Sequence, residues 1–142
     1  MWWLAPLLSL TFSAVDLSVL NVPVVHAEEK VWTTEELKTL ITETAKMRKL
    51  HIGRFLATAT CEVKKNEDGS WDYKAQSDHT TKKGRENSWG LWQINLDAHP
   101  DITKEQARDP LFSTRFASDE WEKGNAWKWT CYNNLYGKNR VE

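Results

Sequence analysis

Ile52, Phe55, Leu56, Ala59 and Val63 recur at helical spacing, and at about 100° per residue they cluster within about a third of a turn. Glu62 falls just beside that stripe, while Cys61 points the other way, toward a different segment. The pattern predicts an amphipathic helix with a carboxylic acid where its buried face meets an open one. An acid so placed can hold its proton near neutral pH and release it to a leaving oxygen. The plainer reading of the same position is a solvated glutamate at a helix end.

The rest of the chain reads as helix interrupted by one polar stretch. Thr33 and Glu36 have the spacing of a capping box, and Leu37, Leu40, Ile41, Ala45 and Arg48 follow at helical period to about Lys49. Gly53 marks a break or a tight approach. Residues 64–87 are polar and turn-rich, and Asp68-Gly69 beside Trp71 and Tyr73 suggests a small β-hairpin. Trp89 to Leu96 is a short apolar run, expected as a buried helix or turn. Thr103 starts a short helix, and Pro110 opens a longer one whose face carries Phe112, Phe116, Ala117 and Trp121 up to Gly124. The expected fold is one mainly α-helical domain over 28–142, without repeats or linkers.

Composition narrows the functions available. At 142 residues and a formal net charge of −1, the chain has no basic field for nucleic acid and no acidic field for cationic partners. A ligand must be held by shape and local contacts, and a monomer is expected. Nine tryptophans are many for this length. Their flat faces bury large apolar areas and also stack on sugar rings. Residues 1–27 read as a secretory signal peptide, apolar from Trp2 to Val15 with a small-residue exit at Val25-His26-Ala27. Asp16, Asn21, Pro6 and Pro23 interrupt it too often for a membrane span. In an exported chain the only two cysteines, Cys61 and Cys131, have one intramolecular pairing open to them, with two free thiols as the other reading. No spacing suited to zinc is present.

Two motifs then stand out: Cys61-Glu62 at the end of the predicted helix, and Ser88-Trp89-Gly90-Leu91-Trp92-Gln93-Ile94-Asn95 after the polar stretch. Together with His99-Pro100-Asp101, Gln106-Ala107-x-Asp109-Pro110 and Trp129-Thr130-Cys131-Tyr132, they resemble the SLT-like transglycosylase branch of the lysozyme superfamily over about residues 33–136. The likeness is to its small exported or phage-type members. It implies a lysozyme-like fold, with the possible small hairpin in the loop after the catalytic helix, and a disulfide between Cys61 and Cys131. It also implies exported action on peptidoglycan glycan strands, with no metal or cofactor.

The resemblance implies the chemistry as well. Glu62 would protonate the oxygen between N-acetylmuramic acid and N-acetylglucosamine, then as carboxylate take the proton of the muramic 6-hydroxyl, giving a 1,6-anhydro product. Ser88, Leu91, Trp92 and Gln93 would line the substrate site, and Tyr132 would reach the catalytic carboxyl. The chain departs from the family at Val63, where a serine thought to help hold the sugar is usual. A muramidase that hydrolyses the same bond would need a second carboxylate, for which Asp72, Asp78, Glu86 and Asp97 are candidates. A catalytically silent glycan-binding module is the third reading. His51, His79 and His99 are expected as surface or turn residues.

Overall fold

The computed structural model describes residues 28–137. The expected signal peptide, with Trp2 and Trp3, lies outside them. A compact unit starts at Val31. It is mainly α-helical, and its β-structure is confined to two-stranded antiparallel hairpins.

Helix α1 (Thr34–Met47) begins at the expected capping box: the Glu36 N–H donates to Thr33 Oγ1 at 3.2 Å, and the Thr33 N–H to Glu36 Oε2 at 2.8 Å. The chain turns at Lys49, whose φ is +57°, and α2 (Ile52–Glu62) follows. Its cap is His51, whose Nδ1 accepts the Arg54 N–H at 3.3 Å. The break therefore falls before Gly53, which lies inside the first turn of α2. At Val63 the backbone becomes extended and enters three hairpins in succession. They pair β1 (Lys64–Lys65) with β2 (Trp71–Asp72), β3 (Thr80–Thr81) with β4 (Gly84–Arg85), and β5 (Ser88–Trp89) with β6 (Ile94–Asn95). Helix α3 (Lys104–Arg108) carries a second capping box, from Thr103 and Gln106. Asp109 caps α4 (Pro110–Glu122), with proline at its first position. A 3-10 turn (Ala126–Lys128) and α5 (Thr130–Tyr136) complete the described chain.

The core forms where the faces of α1, α2 and α4 meet the β5–β6 turn. Leu37, Ile41, Ala45, Phe55, Ala59, Leu91, Trp92 and Ala117 are fully buried. Phe55 links the layers, its ring centroid lying 4.4 Å from that of Trp92 and 5.0 Å from that of Trp121. Trp92 in turn meets Trp129 edge-on at 5.8 Å, and Trp121 meets Tyr132 at 5.2 Å. Such tilted and edge-on pairs add to the stabilisation that burial alone gives.

One expectation needs correction, and another resolves between its two alternatives. Ile52 belongs to the stripe by spacing but is 39% exposed, because it occupies the first turn of α2, short of the packed layer. Of the two readings of the run from Trp89, buried helix or turn, the structure takes the turn: residues 90–93 close the β5–β6 hairpin. Its turn is set by Gly90 at φ +84°, where a Cβ would stand 1.9 Å from the carbonyl oxygen of Ala107. Only glycine lets the turn close against α3 in this way.

Candidate active site

Helix α2 ends at the wall of a cleft of about 950 Å³. The last turn of α2, residues 76–79, Glu86, the β5–β6 hairpin, His99 and residues 127–131 line it. Glu62 stands in this wall with its carboxyl largely withdrawn from water. Burial pushes its pKa above the ordinary carboxylate value. The Cys131 N–H, donating to Oε1 at 2.9 Å, works against that rise, and the negative charge of Glu86 adds to it. Helix α5 has no side-chain cap of its own, so Glu62 supplies the acceptor for an otherwise unmatched N–H of its first turn.

The carboxyl is fixed from a second direction. Cys61 and Cys131 form a disulfide with their Cα atoms 5.8 Å apart. The residue before Glu62 is thereby bonded to the residue whose N–H Glu62 accepts. Val63, on the other side, is 2% exposed and packs into the core. Its position thus favours an apolar side chain.

Glu86 and Asp78 share the cleft with Glu62; Asp72 and Asp97 do not line it. Ser88 and Asn95 are register partners across the β5–β6 hairpin, and both reach Glu86 Oε1, Ser88 Oγ at 3.0 Å and Asn95 Nδ2 at 3.4 Å. Ser77 Oγ meets Oε2 at 3.3 Å. The hairpin therefore presents a second carboxylate in an ordered frame of neutral donors. Asp78 is occupied differently: Lys64 and Arg85 hold it at 2.8 and 3.0 Å, which lowers its pKa, first through the Lys64 hydrogen bond.

Of the residues expected at the substrate, Ser88 and Gln93 line the cleft. Gln93 takes φ +48°, and its Nε2 donates to the carbonyls of Gly90 at 2.8 Å and Ala75 at 3.3 Å. Its amide oxygen is what remains for a ligand. Leu91 and Trp92 are fully buried, and Tyr132 is 6% exposed. None of the three lines the cleft. Their place is the core, because the tight turn at Gly90 drives Leu91 and Trp92 inward and Trp92 Nε1 is bound by Thr114 Oγ1 at 3.2 Å.

The sequence reading missed several cleft residues. His79 and His99 line it, beyond the plain surface or turn role expected of them. So do Trp127 and Lys128, on a turn braced by Glu120. The hydrogen bond from Lys128, with further donors on Lys123 and Asn125, pulls the Glu120 pKa down to about 2. Alternation offered the available clue. Glu86 and Ser88, two apart in extended chain, fall on one face of the cleft wall.

Among the described residues no three His, Cys, Asp or Glu side chains gather as a metal site, and no helix is long and apolar enough to cross a membrane. No protein family, characterised protein or solved structure matches the chain.

Proposed function

We propose that this chain is an exported lysozyme-like enzyme that cleaves peptidoglycan glycan strands as a lytic transglycosylase, with Glu62 as its acid and base. The observation that carries the reading is a largely buried carboxyl, biased toward its protonated form, fixed by a backbone N–H and a neighbouring disulfide in the wall of a cleft. Such a group matches what a poorly basic glycosidic oxygen needs. Protonated Glu62 gives its proton to that oxygen as the bond to the anomeric carbon breaks. The resulting carboxylate takes the proton of the muramic 6-hydroxyl, whose oxygen closes onto the same carbon. One bond to the anomeric carbon breaks and one forms, no water is consumed, and the substrate's N-acetyl group steadies the cationic intermediate stage.

A hydrolytic outcome is the second reading, and Glu86 is what favours it. Its charge is felt at Glu62, and its carboxylate could orient a water on the far side of the bond. Mass spectrometry of digested strands separates the two, since the anhydro product is lighter than the hydrolytic one by one water. For the transglycosylase, Glu86→Gln keeps the anhydro product. It also moves the alkaline limb of the pH profile to lower pH, because removing a neighbouring negative charge lowers the pKa of Glu62. Disappearance of a hydrolytic product in that variant would assign Glu86 to water activation instead. In either case Glu62→Gln should lower wall lysis at least about a hundredfold while sacculi are still bound. Unchanged lysis would remove the proposal, and absence of lysis by the unaltered protein, with binding retained, would leave the silent binding module.

Export rests on the disulfide, which fits an oxidising compartment, and on the leader-like sequence of residues 1–27.

A further inference from the structure

The tryptophans differ in exposure, with Trp32, Trp89 and Trp121 half-buried. Trp71, Trp92 and Trp129 are at most 7% exposed, whereas Trp127 is 54% exposed. Large hydrophobic side chains left in water singly need no special explanation. Those exposed among the described residues are Val31, Met47, Ile52, Leu111, Leu135 and Trp127, and of these Trp127 alone stands in the cleft wall. It is also the only aromatic one.

Its backbone is held at several points. The carbonyl of Trp127 accepts from Asn133 Nδ2 at 2.6 Å. On either side, Asn125 and Lys128 are tied to Glu120, and Trp129 Nε1 donates to the buried carbonyl of Trp92 at 2.9 Å. The exposed ring therefore rides on a segment anchored to α4, α5 and the core hairpin. Four residues further along, that same segment delivers the N–H that fixes Glu62.

We propose that Trp127 is a stacking platform for one pyranose ring of the glycan, forming a sugar subsite in the cleft that holds Glu62. This rests on the glycan-cleaving reading above. An indole face suits the C–H face of a sugar, and an ordered platform loses little freedom when it is occupied. The neighbours fit the same ligand. Gln76 and Gln93, through their amide oxygens, and Thr130, through its hydroxyl, line the same cleft and suit sugar hydroxyl and N-acetyl groups. An apolar peptide or protein partner would call for further large exposed apolar side chains in the cleft, whereas its other apolar lining residues are half-buried (Phe116), buried (Val63, Ile94) or small (Ala98).

The test measures binding of purified sacculi and of a soluble N-acetylglucosamine hexamer in the Glu62→Gln background, and kcat and KM for wall digestion with Glu62 intact. Trp127→Ala should weaken binding about tenfold, as for loss of one stacked aromatic contact. The same variant should lower kcat/KM by a similar factor, carried mostly by KM. Trp127→Phe, with its smaller flat face, should fall between, and it supplies the answer if the alanine variant does not fold. Sugar binding should quench or shift tryptophan emission in the parent and do so less in the Phe variant. Binding within twofold of the parent in both variants would overturn the platform and leave the glycan-cleaving reading standing. A parent that neither binds nor digests sacculi would remove both together.

Discussion

In the proposed reaction Glu62 has two jobs whose demands conflict. As the acceptor for the Cys131 N–H it is wanted as a carboxylate, and as a proton donor it must stay protonated. Burial decides the contest, since it is the largest influence on the group and raises the pKa. A folded-state pKa above the unfolded value means that proton binding favours the folded chain. That contribution is complete below the unfolded pKa and is lost as pH rises through the folded one. Glutamine keeps an oxygen for the Cys131 N–H and does not titrate. Glu62→Gln should therefore match the unaltered protein at about pH 4 and be the more stable of the two at about pH 8, while losing activity. Thermal melts at the two pH values check this. A variant weaker at both would show that the charged hydrogen bond to α5 outweighs the cost of burial.

At the scale of elements, the β5–β6 hairpin shows how a backbone requirement positions chemistry. Gly90 and Gly69 have nearly the same φ, +84° and +83°, yet a Cβ on Gly90 meets the Ala107 carbonyl whereas one on Gly69 meets nothing within 4 Å. Gly69→Ala should cost about 1 kcal/mol, the price of a left-handed residue alone. Gly90→Ala should cost about 3 kcal/mol or more and lower lysis as well, because the hairpin carries Ser88, Gln93 and Asn95. Denaturant melts of the pair give the comparison, and equal losses would mean that α3 yields readily. The same contrast explains what could be read in advance. Helices α1, α3 and α4 were legible because their caps and stripes are local: Thr33 with Glu36, Thr103 with Gln106, Asp109 before Pro110. The hairpin at Asp68-Gly69 was legible from its turn residues. Of the β5–β6 hairpin only a turn, as one of two alternatives, was legible, since a short apolar run fits helix or strand equally and a contact with distant Ala107 decides its shape. Glu62 could be picked out beside its stripe. Glu86 could be named only as one of four candidate acids and Trp127 not at all, because only long-range packing brings them into the same wall.

Across the whole molecule, the disulfide is where stability and chemistry meet. It joins positions 70 apart in sequence, and the chain-entropy account gives a loop of that size about 4 kcal/mol, an upper figure. A purely structural link would affect melting alone. This one joins the end of α2 to the start of α5, two segments that line the cleft, and it lies beside the Glu62–Cys131 hydrogen bond. Loosening the joint should weaken the one interaction that holds the Glu62 pKa down, while burial and Glu86 continue to raise it. Reduction, or Cys61→Ser with Cys131→Ser, should thus lower the melting temperature and move the alkaline limb of the lysis profile to higher pH. It should also reduce the maximal rate, because the carboxyl is then less firmly aimed. Measurements belong at a temperature where circular dichroism shows the reduced protein still folded. A profile that keeps its position and height there, with only the melting temperature changed, would restrict the cystine to holding the chain together and leave burial alone to set the acid.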